Sequence, residues 1–218
     1  MFYATPTCWR SIPTWVPPGK TDGVDFSGWP ALVVVDVEGN GGSPADLVEV
    51  ALLPVRGGRP DLRTGRAWLV RPPRPVTPFA ARVHGLTDDT LAGCPAWQDI
   101  ADQVRSTLGQ AWIAAHNAHV DYRALSAHLP GWQPAGVVDT LRLARAGLPG
   151  LPSYTLDALI GHFEPDLSGA ADHRHRARYD AHATALVLLA LAERYLTWSR
   201  LAEVGVPPGL PGGRAGLW

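Results

Sequence analysis

The sequence predicts an α/β fold built on a mixed β-sheet flanked by helices. Short β-branched or apolar runs occupy 31–37, 47–55 and 67–71 in succession, separated by clusters of Gly, Pro and Asp, which is the pattern of three consecutive strands. After residue 96 the period changes, and Trp97, Ile100, Ala101, Val104 and Leu108 recur at helical spacing. Beyond them, short apolar runs at 112–115 and 136–138 alternate with helical segments. Strands that alternate with helices in this way are laid side by side beneath them.

In chain order, the first three strands form a meander, and Pro95 and Gly109 bracket the helix that follows. The strand at 112–115 leads into a helix reaching about His128. The strand at 136–138 leads into a helix capped by Asp139 and stopped by Gly147 and Pro149. Ser153 caps a short helix whose Leu156, Leu159 and Ile160 face one way before Gly161. The segment 179–198 is apolar nearly all round, as a helix buried against a sheet should be.

The ends read differently. Residues 1–30 hold Trp9, Trp15 and Trp29 among prolines and glycines with no regular period, which predicts an irregular arm that packs onto something. Residues 199–218 read as a Gly/Pro-rich tail, loose from Gly205 onward. The domain itself is then 31–198.

A length of 218 residues suits one sizeable domain. With 46% hydrophobic and 18% charged residues, the chain can bury an interior and lacks the composition of a disordered protein. Nineteen basic against 20 acidic residues leave a net charge of -1, which excludes a broadly basic coat for nucleic acid, so any such binding must be local. Cys8 and Cys94 could form at most one bridge and offer no Cys-x-x-Cys zinc motif, which fits a reducing compartment. The N-terminus lacks the charged start and apolar stretch of a secretion signal, and the longest apolar run, 183–192, is too short to span a bilayer. A cytoplasmic protein with no membrane association is expected.

Three segments could carry chemistry. The first strand ends in Asp36-Val37-Glu38, and strand alternation puts both carboxylates on one face, roughly 6–7 Å apart at Cα, as a cradle for a divalent cation. Asp36 follows four apolar residues of a segment that reads as a central strand, where an unpaired carboxylate is costly unless a cation meets it. In the second segment, His116-Asn117-Ala118-His119-Val120-Asp121, the last residue lies in the first turns of a helix, where the macrodipole favours a negative charge. The third runs from Asp172 to His182 and places Asp180 near the start of the buried helix. His182 lies about 200° round that helix from Asp180 and reads as structural. A zinc site on these histidines is the weaker alternative, since the His-x-His pair lies among arginines and has no Cys or His-x3-His partner.

These segments together resemble the DEDDh class of 3′-5′ exonucleases, the family of the bacterial DNA polymerase III proofreading subunit and ribonuclease T. The resemblance rests on Asp36-x-Glu38, on His116-Asn117-Ala118-x-x-Asp121, and on His175 five residues ahead of Asp180. His84-Gly85-Leu86-Thr87 resembles the family's connecting H-G-[IL]-T, and 139–145 its D-T-L-x-L-A-R helix. The likeness covers about 31–195. A histidine five residues before the last Asp, rather than a tyrosine four before it, indicates the histidine subclass. Two departures stand out: Gly39 replaces the Thr that often follows the first Glu, and Val120 replaces an aromatic before the second Asp.

The resemblance implies a ribonuclease H-like sheet, a three-strand meander plus two short strands, and a two-metal mechanism at the 3′ end of single-stranded DNA or RNA. Asp36 would bridge two divalent cations, Mg2+ or Mn2+, Glu38 and Asp180 would complete one site, and Asp121 would hold the other. His175 would be the general base. Gly39, Asn40, His84, Thr87, Asn117 and Arg176 would meet the nucleotide or its phosphates. A DNA polymerase is a possible partner. Two other readings remain: a non-catalytic nucleic-acid-binding or polymerase-associated module, and an oligoribonuclease-like enzyme acting on short RNA.

Overall fold

The computed structural model describes residues 7–8, 24–170 and 172–213. In chain order the elements are β1 (Thr7–Cys8), β2 (Leu32–Gly39), β3 (Leu47–Arg56), β4 (Arg59–Pro60), β5 (Arg66–Leu69), α1 (Pro78–His84), α2 (Asp88–Leu91), α3 (Trp97–Leu108), β6 (Trp112–Ala115), α4 (His119–His128), β7 (Gly136–Asp139), α5 (Thr140–Gly147), α6 (Leu156–Phe163), α7 (Ala177–Ala192) and α8 (Trp198–Gly205). Among the described residues the strands form one sheet in the order β1-β5-β3-β2-β6-β7, with β4 paired to β3. The expected meander is β2-β3-β5, antiparallel throughout. The two short strands β6 and β7 add in parallel to β2.

Alternation along β2 sorts the core into two layers. Leu32 and Val34 join the side chains of α5, α6, α7 and α8. Val33 and Val35 join those of α3 and α4 on the opposite face. Continued by two and by four residues, the first set leads to Asp36 and Glu38, so both acids share the face covered by α7. That helix is apolar all round because nearly every residue from Ala181 to Ala192 is buried. Its His182 is buried too, and burial pushes its pKa down to about 4, as suits a neutral core histidine.

Several local expectations change. The helix foreseen over 179–198 stops at Ala192: Leu196 then adopts a left-handed φ of 59°, and the Thr197 side chain caps a separate helix, α8, by accepting from Arg200 N. Thr155, not Ser153, caps α6, which runs through Gly161 to Phe163. The segment read only as a connecting motif contains α1, opened by Thr77 with Pro78 and closed by Gly85 at φ 75°, followed by α2.

The region expected to be a loose tail is docked as far as Gly213. Leu201 of α8 is fully buried, and Val206 is nearly so. Val137 N of β7 donates to Pro211 O at 2.9 Å, so the tail covers a sheet edge that would otherwise stay unpaired. The Trp112 ring packs against the adjoining Gly136 and Gly212, where a Cβ on either would come within 2.2 and 2.6 Å of the indole. Trp198 packs edge-on against Trp112 at 5.0 Å, and Trp29 tilts against Trp198 at 5.0 Å. The end of the N-terminal arm and the tail thus meet over one aromatic cluster; Trp9 and Trp15 lie outside the described residues. Truncation after Gly205 is expected to lower the melting temperature by roughly 5 °C, and an unchanged melt would show that the docked tail contributes nothing.

Candidate active site

The acids converge from three elements. Asp36 and Glu38 come from β2 and Asp180 from the first turn of α7, and one oxygen of each lies within 4.8 Å of the others. Asp121 comes from the first turn of α4, is 4% exposed, and accepts from Val37 N through Oδ1 at 3.1 Å. It therefore sits beside β2 between the two β2 acids. The sheet ladder shifts register between Glu38 and Gly39, where β2 leaves the sheet toward the loop that follows.

These carboxylates repel one another in a partly dry site. Burial, then the charges of Asp121, Glu38, Asp180 and Glu49, raise the Asp36 pKa well above the usual carboxylate range. Burial first, then Asp180 and other acids, push Glu38 up to about 8. Asp121 rises to about 8 and Asp180 to about 6, in both cases chiefly through burial. Four carboxylates held close against their own repulsion fit hard divalent cations, which take oxygen ligands. The donor set contains no Cys and is not suited to a soft metal.

His175 lies at the mouth of this cluster. It adopts a left-handed φ of 60°, its backbone N donates to Asp180 Oδ2 at 3.2 Å, and its side chain is exposed. The arginines around it are engaged by carboxylates. Arg174 pairs with Asp157, and Arg178 Nε lies 3.6 Å from Asp172. Arg176, expected to meet phosphate, instead grips Glu49 through Nε at 2.8 Å and Nη2 at 3.0 Å. The reason is Glu49 itself, a carboxylate 1% exposed within β3 that requires a cation. Sequence reasoning missed Glu49. Its signal was a single acid inside the apolar run Leu47-Val48-Glu49-Val50-Ala51.

Three expected substrate contacts are turned inward or used locally. Asn40 is buried, with Oδ1 accepting from Gly42 N and Asp46 N at 3.0 and 2.9 Å and Nδ2 donating to Asp46 Oδ2 at 3.1 Å, so it pins the 40–46 loop. His84 is also buried. Leu86 N donates to its Nδ1 at 3.1 Å, which leaves Nε2 to donate to Gly39 O at 3.2 Å, and burial lowers its pKa. Thr87 caps α2 by accepting from Thr90 N. Gly39 is held from behind by His84, and a Cβ there would press on Ala45 at 3.0 Å. Asn117 stays exposed at the lip of α4, in a left-handed φ of 65°, its N–H bound to Asp139 Oδ1 at 3.0 Å. Three large apolar side chains are exposed: Val120 directly precedes Asp121, Val83 precedes His84, and Phe79 lies one turn before Val83 on α1.

This architecture recurs in known proteins. Exodeoxyribonuclease 10 of Escherichia coli K12 is 34% identical over 160 residues, 72% of this chain and 67% of that protein. The PolC-type DNA polymerase III of Halalkalibacterium halodurans is 33% identical over 166 residues, and the 3′-5′ exonuclease DinG of Bacillus subtilis 28% over 170. The chain spans only 11% and 18% of those two longer proteins. Among solved structures, exonuclease X in complex with 5′ overhanging duplex DNA matches with a TM-score of 0.64 at 31% identity, covering 74% of this chain and 90% of that one. Exonuclease I shares the fold, with a TM-score of 0.65 at 18% identity over 78% of this chain and 42% of its own. The family model described as Exonuclease, RNase T type, matches residues 33–188, and the chain belongs to that exonuclease family.

Proposed function

We propose that this protein is a metal-dependent 3′-5′ exonuclease that removes nucleotides from the 3′ end of single-stranded DNA. The observation that carries this reading is the convergence of Asp36, Glu38 and Asp180 beside the buried Asp121, with His175 at the edge of the group. DNA is favoured over RNA by the likeness to exodeoxyribonuclease 10 and to exonuclease X, whose solved complex contains DNA.

Asp36, Glu38, Asp121 and Asp180 would hold the cations, Mg2+ or Mn2+. When bound, such cations activate a water and stabilise charge on the phosphate. His175 accepts a proton from the attacking water as its oxygen bonds to phosphorus and the bond to the 3′ oxygen of the preceding nucleotide breaks. Its exposed, loop-borne position lets the imidazole approach a bound strand end. Val83, Val120 and Phe79 offer apolar surface for bases. Asn117 and the backbone at Gly39 remain as polar contacts to the terminal nucleotide.

The test is degradation of matched 5′-labelled single-stranded DNA and RNA with Mg2+, with Mn2+ and with EDTA. A metal-dependent ladder shortening from the 3′ end, faster on DNA, is expected; binding without cleavage would favour a non-catalytic module instead. His175→Ala should lower kcat by about 10²–10⁴-fold with KM nearly constant, and a loss confined to KM would remove the base role. The likeness to PolC-type polymerases makes a replicative polymerase the protein partner to test by co-purification, and failure to co-elute at micromolar concentrations would dismiss a stable complex.

A further inference from the structure

We propose that the Glu49–Arg176 ion pair is a positioning device for His175, fixing the chain at the residue next to the base; the inference rests on the exonuclease reading of the site. Glu49 stands directly opposite Glu38 in the β2–β3 ladder and is 1% exposed. It accepts Arg176 Nε at 2.8 Å, Arg176 Nη2 at 3.0 Å and Ala177 N at 3.0 Å. Arg176 Nη1 also lies 4.0 Å from Asp172 Oδ1.

The third of those bonds gives the pair its leverage. Arg176 is the N-cap residue of α7 and supplies no side-chain acceptor of its own. The first amide of the helix would lack a partner, and Glu49, reaching across from β3, provides one together with a negative charge at the positive end of the macrodipole. Helix α7 is thereby seated on the sheet at its first residue. Asp180, one turn further, then receives the His175 N–H at 3.2 Å. The path runs from strand to arginine, to helix, to the aspartate, and back to His175.

The two flanks of His175 differ. On the N-terminal side, Arg174 and Asp157 pair in the open, with side chains 53% and 40% exposed, a class of contact that restrains little. On the C-terminal side the Arg176 side chain is 17% exposed and its fork is taken up by Glu49. His175 is therefore the last residue before a rigid anchor, free to swing into the site but not to drift from it. A guanidinium so engaged is a poor phosphate clamp, which separates this role from substrate binding.

Glu49→Gln keeps the shape and removes the charge. Two readouts test the pair in the full chain. Amide hydrogen exchange at His175 and Ala177 should accelerate about tenfold or more in the variant while the rest of α7 stays protected. On single-stranded DNA, kcat should fall about 10–100-fold with KM within twofold, and adding Glu49→Gln to His175→Ala should cost nothing further. An equal loss in both backgrounds, or a loss residing in KM, would overturn the positioning role. Unchanged exchange in a folded variant would overturn it as well. If the wild-type chain cleaves nothing with either metal, the exonuclease reading fails while the exchange experiment still decides the anchor. Should Glu49→Gln melt below the assay temperature, Arg176→Lys, which keeps the charge and loses the fork, supports the same two readouts.

Discussion

Replacing Asp36 by Asn is expected to cut metal-dependent cleavage by about 10³-fold or more while making the metal-free protein more stable above pH 7. The two effects have one cause. Asp36 stands at the centre of the acids, and its charged form is disfavoured by burial and by Asp121, Glu38, Asp180 and Glu49 in that order. An isosteric amide removes one member of this repulsive group and keeps its volume. It also removes one of the carboxylates that the proposed function assigns to the cations. A rise of roughly 2–4 °C in melting temperature corresponds to about 1 kcal/mol in a chain of this size. Thermal melts in EDTA at pH 8, run beside rate measurements in Mn2+, check both halves. A variant that stays active, or that is inactive and less stable, would show that Asp36 is not the strained centre of the site.

Metal-free protein should lose stability as pH rises from 6.5 to 8.5, and divalent metal should restore it. Carboxyl groups raised in the folded state bind more protons there than in the unfolded chain, so their contribution is full below the ordinary carboxylate range and is lost as pH passes the folded values. Asp180 completes its loss near pH 6, whereas Glu38 and Asp121 titrate at about 8. Histidines act in the opposite direction at lower pH, because burial lowers His182 to about 4 and also lowers His84 and His116. Folding of those neutral histidines gains as pH rises toward 6.5, which masks the carboxylates there and leaves the upper window clear. A fall on the order of 5–10 °C across 6.5–8.5 in EDTA is expected, reversed by millimolar Mg2+ or Mn2+ and most strongly at pH 8.5. A flat profile in EDTA, or equal stabilisation by metal at both pH values, would contradict the crowded-acid description.

The sheet and the clustered acids were legible because each rests on a period or a spacing. The run at 31–37 read as a central strand, and its alternation carries Asp36 and Glu38 to one face. Asp180 was readable as the polar start of an otherwise apolar helix. Glu49 escaped because one acid within a continuous apolar strand looks like a tolerated exception until its partner, 127 residues away, is known. Asn40 and Arg176 were assigned to substrate through the family resemblance, and the structure engages both with the protein's own backbone and carboxylates. The tail was misread because Gly and Pro mark the absence of regular structure, not the absence of docking. Thr77-Pro78 and Gly85, by contrast, were adequate signals for α1 and went unused.

The two glycines packed against Trp112 carry a consequence for how the sequence can change over evolution. Any side chain at position 136 or 212 would drive into the indole; a smaller residue at 112 would leave a slot that a larger one at 136 could fill, whereas position 212, at φ 89°, favours glycine whatever the space. Positions 112 and 136 should therefore vary as a pair among homologues, Trp with Gly or a compensated couple, while 212 stays Gly in both.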